Sequence, residues 1–188
     1  MRIIKVFNNN VALVRDENGD ELVVQGRGIA FQARAGDRLD VTQIERRFMP
    51  EPTGTPEQLA QQVADIPPEL LHLAERILSL GSDFDLALDT RATVALADHI
   101  SIALSRVAAG QKLDNPLELE VRTLYESEFN LGRRAIEVIH EVSGVRLPES
   151  EAVSLALHFV NAQAGAQVTH VDASKKAIQW ARDNQAAS

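Results

Sequence analysis

The 188-residue chain is 45% apolar but only 4% aromatic, so its core must come from Leu, Ile, Val and Ala, a composition that suits helices. It has no cysteine, which excludes a disulfide framework, a thiolate nucleophile and a zinc site of the cysteine type. No apolar run approaches the ~18 residues of a membrane-spanning helix, and no basic-then-apolar leader opens the chain. A soluble, cytoplasmic protein without membrane insertion is therefore expected. The net charge of −8 is unevenly distributed. Residues 1–55 carry eight Lys/Arg and eight Asp/Glu, and the remainder carries 11 against 19. A neutral N-terminal module on an acidic body can still bind phosphates if its cations share a face.

The first fifty residues are expected to form four short strands. Ile3-Ile4 and Val6 lead into Asn8-Asn9-Asn10. Val11–Val14 and Leu22–Val24 flank a turn at Asn18-Gly19, where glycine supplies positive φ. After Gly26-Arg27-Gly28, the segment Ile29–Gln32 reads as the fourth strand, and Ala35-Gly36-Asp37 as another turn. A sheet this small buries little surface, so dimerisation is expected. Met49–Thr55, rich in Pro and Gly, reads as a linker. The domain boundary falls there.

From Pro56 onward the pattern is helical. Pro67-Pro68-Glu69 opens one helix that runs to Gly81. Others are expected at Asp89–Ala109, Leu117–Phe129, Gly132–Val142 and from Pro148-Glu149 to about Gln163. The fold class is thus α+β with two domains: a four-stranded antiparallel sheet at 1–55 and a five-helix bundle at 56–172. Residues 173–188, containing the amphipathic stretch Ala173–Asn184, would start a linker or an extra helix.

Two sets of residues could carry function. In the sheet, Asn8, Asn10, Gly26, Arg27, Gly28 and Phe31 combine amides for base edges, a cation for phosphate, an aromatic face, and glycines where backbone must approach closely. From spacing alone, ordinary turn chemistry and a core phenylalanine account for the same residues somewhat better. A nucleotide loop at Gly26-x-Gly28 lacks both a third glycine and a following helix.

In the helices, His99 shares a stripe with Arg106 seven residues on, and His158 with Glu151 seven before it and Asn161 three after. A lone histidine on an apolar helix is more often a satisfied core residue than a reactive one, but two on different helices point to a shared site. His140-Glu141 lacks the second histidine of a zinc motif, and His72 and His170 read as exposed or interface residues. No metal site, cofactor, nucleophile elbow or catalytic triad is found, so no enzyme is expected.

At these residues the chain resembles the BglG/SacY family of bacterial transcriptional antiterminators. Lys5–Ala12, Asp16–Gly19 and Gly26–Gln32 resemble its co-antiterminator RNA-binding domain. Leu96-x-Asp98-His99-Ile100, Arg106, Asn115-Pro116-Leu117, Tyr125, Glu128-Phe129, Gly132, Glu151 and Ala156-Leu157-His158-Phe159-x-Asn161-Ala162 resemble its first PTS regulation domain. The resemblance implies a homodimer that grips a leader-mRNA hairpin overlapping a terminator, so that polymerase reads through into sugar-utilisation genes. It implies RNA contacts at Asn10, Gly26, Arg27 and Phe31, with Lys5 and Asn8 in support. It implies phosphorylation of His99 and His158 by the sugar phosphotransferase system, through the sugar permease (enzyme II) and the phosphocarrier protein.

From spacing, Arg106 would pair with such a phosphate, while Asp98 and Glu151 would repel it or orient the neutral imidazole. Family members carry a second regulation domain after the first, and this sequence stops after one extra helical segment. A competing interpretation is a helical sensor or interaction module whose sheet serves only for dimerisation. A DNA-binding repressor would need a basic recognition helix, which is missing.

Overall fold

The computed structural model describes residues 1–50, 54–111 and 115–163. The middle of the expected linker, His170 and the stretch Ala173–Asn184 lie outside the described residues. The chain divides into two compact units, Met1–Leu71 and the residues from His72 onward.

The first unit holds an antiparallel sheet in the order β1 (Arg2–Asn8), β2 (Val11–Arg15), β3 (Glu21–Gln25), β4 (Arg46–Phe48). The β2–β3 turn closes on Asp16, whose carboxylate accepts from the Asn18 and Asp20 amides at 2.8 and 2.9 Å, with Gly19 at φ +93°. Register pairs Ala12 with Val24 and Val14 with Leu22. These side chains share one face and form a core with Ile3, Ile29, Ala30 and Leu39. Alternation sends Val11, Leu13 and Val23, also buried, to the other face.

The fourth strand is not the expected segment. Ile29–Gln32 forms consecutive turns, with Ile29 N–H bonded to Gly26 O, Phe31 N–H to Gly28 O, and Gln32 at φ +58°. Its apolar pair Ile29 and Ala30 caps the core instead of extending the sheet, and the free edge of β3 is taken by β4.

A helix that periodicity had not separated, α1 (Pro56–Asp65), packs on β1, β2 and β3. It opens with a capping box: Thr55 accepts from the Gln58 amide, and Gln58 Oε1 accepts from the Thr55 amide, both at 3.2 Å. Ala60 and Val63 are its buried residues. The Asn8 side chain donates to Ala64 O at 3.2 Å, a further tie between helix and sheet.

The five expected helices are α2 (Pro68–Ser79), α3 (Thr93–Ala108), α4 (Glu118–Leu124), α5 (Glu126–Ser143) and α6 (Ser150–Ala162). Three boundaries move. The helix expected from Asp89 begins at Thr93, after a 3-10 turn at Thr90–Ala92. The expected helix at 117–129 breaks at Tyr125, where ψ turns to +53°, and α5 then runs unbroken through Gly132 to Gly144. Gly132 therefore does not interrupt a helix; it lets two helices touch. A Cβ there would lie 2.5 Å from Ala152 O of α6. This close approach places the first turn of α6, with Glu151, deep in the bundle.

Candidate functional site

In the first unit, the turn after β1 and the segment after β3 are tied together by backbone. Gly26 N–H donates to Asn10 O and Ala30 N–H to Asn9 O, both at 3.0 Å. Side chains complete the tie: Asn8 Oδ1 accepts from the Asn10 amide, and Asn10 Oδ1 accepts from the Gly28 amide, each at 2.8 Å. Asn10 keeps its Nδ2 donor without a partner among the described residues. Gly26 is buried against Gln43, and a Cβ would meet Gln43 O at 2.0 Å, so only glycine fits. Gly28 is at φ +69°.

These constraints hold Arg27 and Phe31 outward. Arg27 is exposed, its backbone fixed by Glu45 Oε1 at 3.1 Å, and Phe31 is 61% exposed although the segment carrying it is packed. Lys5 is exposed on β1 with its ammonium 4.9 Å from the Phe7 ring centroid. The structure thus brings Asn8, Asn10, Gly26, Arg27 and Phe31 into one linked set. An exposed phenylalanine and an exposed arginine on one segment, with an amide donor unpartnered among the described residues, offer stacking, charge and base-edge hydrogen bonding.

Sequence reasoning missed Glu45, which braces Arg27. It also missed the buried Gln25, whose Oε1 accepts from Arg46 at 2.8 Å across the β3–β4 pair. Neither carries a local signal, because the pairing that creates both contacts joins segments about twenty residues apart.

In the second unit, four of the five polar residues placed on helical stripes meet, and Asn161 is the exception. His99 of α3 and His158 of α6 lie with ring centroids 4.7 Å apart, tilted by 48°. His99 Nε2 is 3.2 Å from Glu151 Oε2, and Arg106 donates to Glu151 Oε1 at 2.6 Å. Burial pushes the Glu151 carboxyl up, but the His99 and Arg106 hydrogen bonds and the Arg106 charge outweigh it and hold it below the ordinary carboxylate range. An ionised carboxylate only accepts, so His99 Nε2 carries the proton.

His158 has a different environment. Burial first, and the neighbouring His99 second, push its pKa down to about 4 against the opposing charge of Asp98. Its imidazole is neutral at pH 7, with a lone pair available. Asp98 itself is exposed, and Asn161 is exposed without a hydrogen bond to this cluster among the described residues. His72 lies exposed beside Glu75. No group of residues that could hold a metal ion occurs among the described residues, and no helix there is long and apolar enough to cross a membrane.

Comparison with known proteins gives matches to both halves. Residues 1–56 match the CAT RNA binding domain and residues 57–162 the PRD domain. The transcription antiterminator LicT of Bacillus subtilis is 38% identical over 95% of this chain and 65% of its own length. The beta-glucoside operon antiterminator of Dickeya chrysanthemi is 38% identical over 91% of this chain and 61% of its own. The chain thus spans less than two thirds of the length of these curated relatives. Among solved structures, a crystal structure of GlcT CAT-PRDI superposes with a TM-score of 0.64 at 27% identity, covering 87% of this chain and 98% of that one.

Proposed function

We propose that this chain, which belongs to the family joining a CAT RNA binding domain to a PRD domain, is a cytoplasmic transcriptional antiterminator. It binds a leader-mRNA hairpin as a homodimer, prevents termination ahead of a sugar-utilisation operon, and is set by PTS-dependent phosphorylation of histidine. The relatives' names as antiterminators support this reading. The observation that carries it is the Asn10–Gly28 tie, which rigidifies a turn and leaves Arg27 and Phe31 exposed on it.

RNA reading is assigned to residues 1–55. Phe31 stacks on an unpaired base, Arg27 and Lys5 meet phosphates, Asn10 Nδ2 donates to a base edge, and Gly26 and Asn8 hold that surface in shape. Regulation is assigned to the domain beginning at residue 56, with His99 and His158 as phosphoryl acceptors and enzyme II and the phosphocarrier protein as donors. A phosphoryl group adds about −1.5 to −2 charge at neutral pH, which a half-buried imidazole pair accommodates only by rearranging its neighbours. Arg106 pairs with the new charge. Glu151 orients the His99 imidazole through their hydrogen bond, Asp98 acts on His158 through its charge, and Asn161 lies exposed on the same helix as His158. In this reading the chain acts by binding, as the antiterminator names of its relatives support.

The test is transcription in vitro through a leader terminator. Adding the chain is expected to raise read-through, and prior phosphorylation by the phosphotransferase proteins, mapped by mass spectrometry to His99 or His158, is expected to change it. Read-through that ignores the chain, or phosphohistidine confined to His72, His140 or His170, would count against the proposal.

A further inference from the structure

Glu151 is a buried anion sitting on the atom that a phosphoryl donor would approach. Its side chain is 1% exposed, yet it holds the 15%-exposed His99 and the 25%-exposed Arg106 at once, one through each carboxylate oxygen. Burying a charge is unfavourable unless it is paired and hydrogen-bonded, and here two partners satisfy it. A second observation concerns the arginine. Arg106 Nε is buried and has no hydrogen-bond partner, although the same guanidinium reaches Glu151 at 2.6 Å. Two oxygens of a carboxylate, shared between two residues, leave that donor idle. A phosphoryl group, with three terminal oxygens, has enough acceptors to engage both guanidinium nitrogens.

The tautomer adds a constraint. With its Nε2–H directed at Glu151, His99 has no lone pair on Nε2, the ring atom farthest from its backbone. We propose that Glu151 is a resident occupant of the phosphoryl position on His99: its carboxylate sits at Nε2 and on Arg106, where a phosphoryl group would sit, and modification must evict it. Glu151 is then a positioning residue rather than an acceptor. It keeps the unmodified site closed, and its departure passes Arg106 from carboxylate to phosphoryl. Because Glu151 lies in the first turn of α6 and His158 on the same helix, eviction at one end of α6 is felt at the second histidine.

In the step itself the His99 proton moves to Nδ1, the freed Nε2 lone pair forms the new N–P bond, and the donor's own bond to phosphorus breaks. With phosphoramidate as donor, the leaving nitrogen departs as ammonia and no other reactant is needed. The proposal rests on histidine phosphorylation in this domain, but a small-molecule donor tests it without the phosphotransferase proteins. Failure of those proteins to transfer would sink the regulatory reading alone.

The experiment labels the whole 188-residue chain with phosphoramidate at pH 7.5 and maps phosphohistidine by mass spectrometry. Glu151→Gln is expected to label on His99 about tenfold faster than the parent chain, and Arg106→Gln to lose the label faster once formed. On the unsubstituted chain, nitrogen-15 NMR of the histidines is expected to show His99 as the Nε2–H tautomer before labelling and phosphoryl on Nε2 after it. That spectrum is independent of whether either variant folds, and a merely structural glutamate would leave the labelling rate of a folded Glu151→Gln chain unchanged. Equal rates in folded parent and Glu151→Gln chains, phosphoryl on Nδ1, a His99 found as the Nδ1–H tautomer, or no label on His99 in any of the proteins would each overturn the proposal.

Discussion

Gly26 and Phe31 lie five residues apart and illustrate two ways in which a residue can matter. Gly26 matters for what it lacks. A methyl group there would overlap Gln43 O at 2.0 Å, against backbone that cannot yield like a flexible side chain. Gly26→Ala is expected to destabilise the chain by about 1–3 kcal/mol, read as a lower urea midpoint, because overpacking forces the backbone apart. Phe31 matters for what it presents. Phe31→Ala is expected to leave the urea midpoint nearly unchanged, since the ring is already 61% exposed, yet to weaken hairpin binding by about 1–3 kcal/mol through lost stacking. An intact affinity in that variant would remove the ring from the RNA surface.

Both residues were visible in the sequence, but their surroundings were not. Spacing of seven set Arg106 beside His99 and Glu151 beside His158, because that separation is nearly two helical turns. What it could not provide is the crossing of α3 and α6 that delivers Glu151 to His99 rather than to its own helical neighbour.

Among the elements, the helices with clear breakers were the most legible. Pro68 opens α2 and Gly144, at φ +72°, closes α5, as expected of those residues. Gly132 misled, since glycine within a helix reads as a break in sequence and here serves contact with Ala152. Ile29–Gln32 misled for a related reason. Its apolar residues satisfy a strand pattern, but flanking glycines allow tight turns that bury the same side chains. Helix α1 was not separated because its buried residues are few, Ala60 and Val63, although Pro56 at its first position and the capping box mark its start. Thr55→Ala should therefore lower the stability of the sheet unit by about 1 kcal/mol, as measured by urea unfolding, since it removes the cap of the helix that covers the sheet. No change in midpoint would mean that α1 contributes little to that unit.

For the molecule as a whole, the buried imidazole links stability to pH. His158 stays neutral in the folded chain down to about pH 4, because burial and then His99 oppose its proton. In the unfolded chain it takes up a proton below its ordinary value near 6.5. The unfolded state thus binds more protons between those values, and stability is lost as pH falls through that window. The loss is expected to reach about 3 kcal/mol between pH 7 and pH 4, at ~1.36 kcal/mol per unit. His158→Asn should flatten the upper part of that window, where a carboxylate held low by its His99 and Arg106 hydrogen bonds, as Glu151 is, contributes least. A profile unchanged by that substitution would assign the slope to other groups.

The division of the chain into an RNA-facing sheet and a histidine-bearing bundle is the central claim, and binding of the complete chain to an imperfect leader hairpin tests it most directly. Fluorescence anisotropy at 50 and 200 mM salt is expected to show binding that weakens steeply at the higher salt, as phosphate contacts from Arg27 and Lys5 require. A chain that leaves the hairpin unbound at both salts, or binds it without regard to salt, would contradict the account.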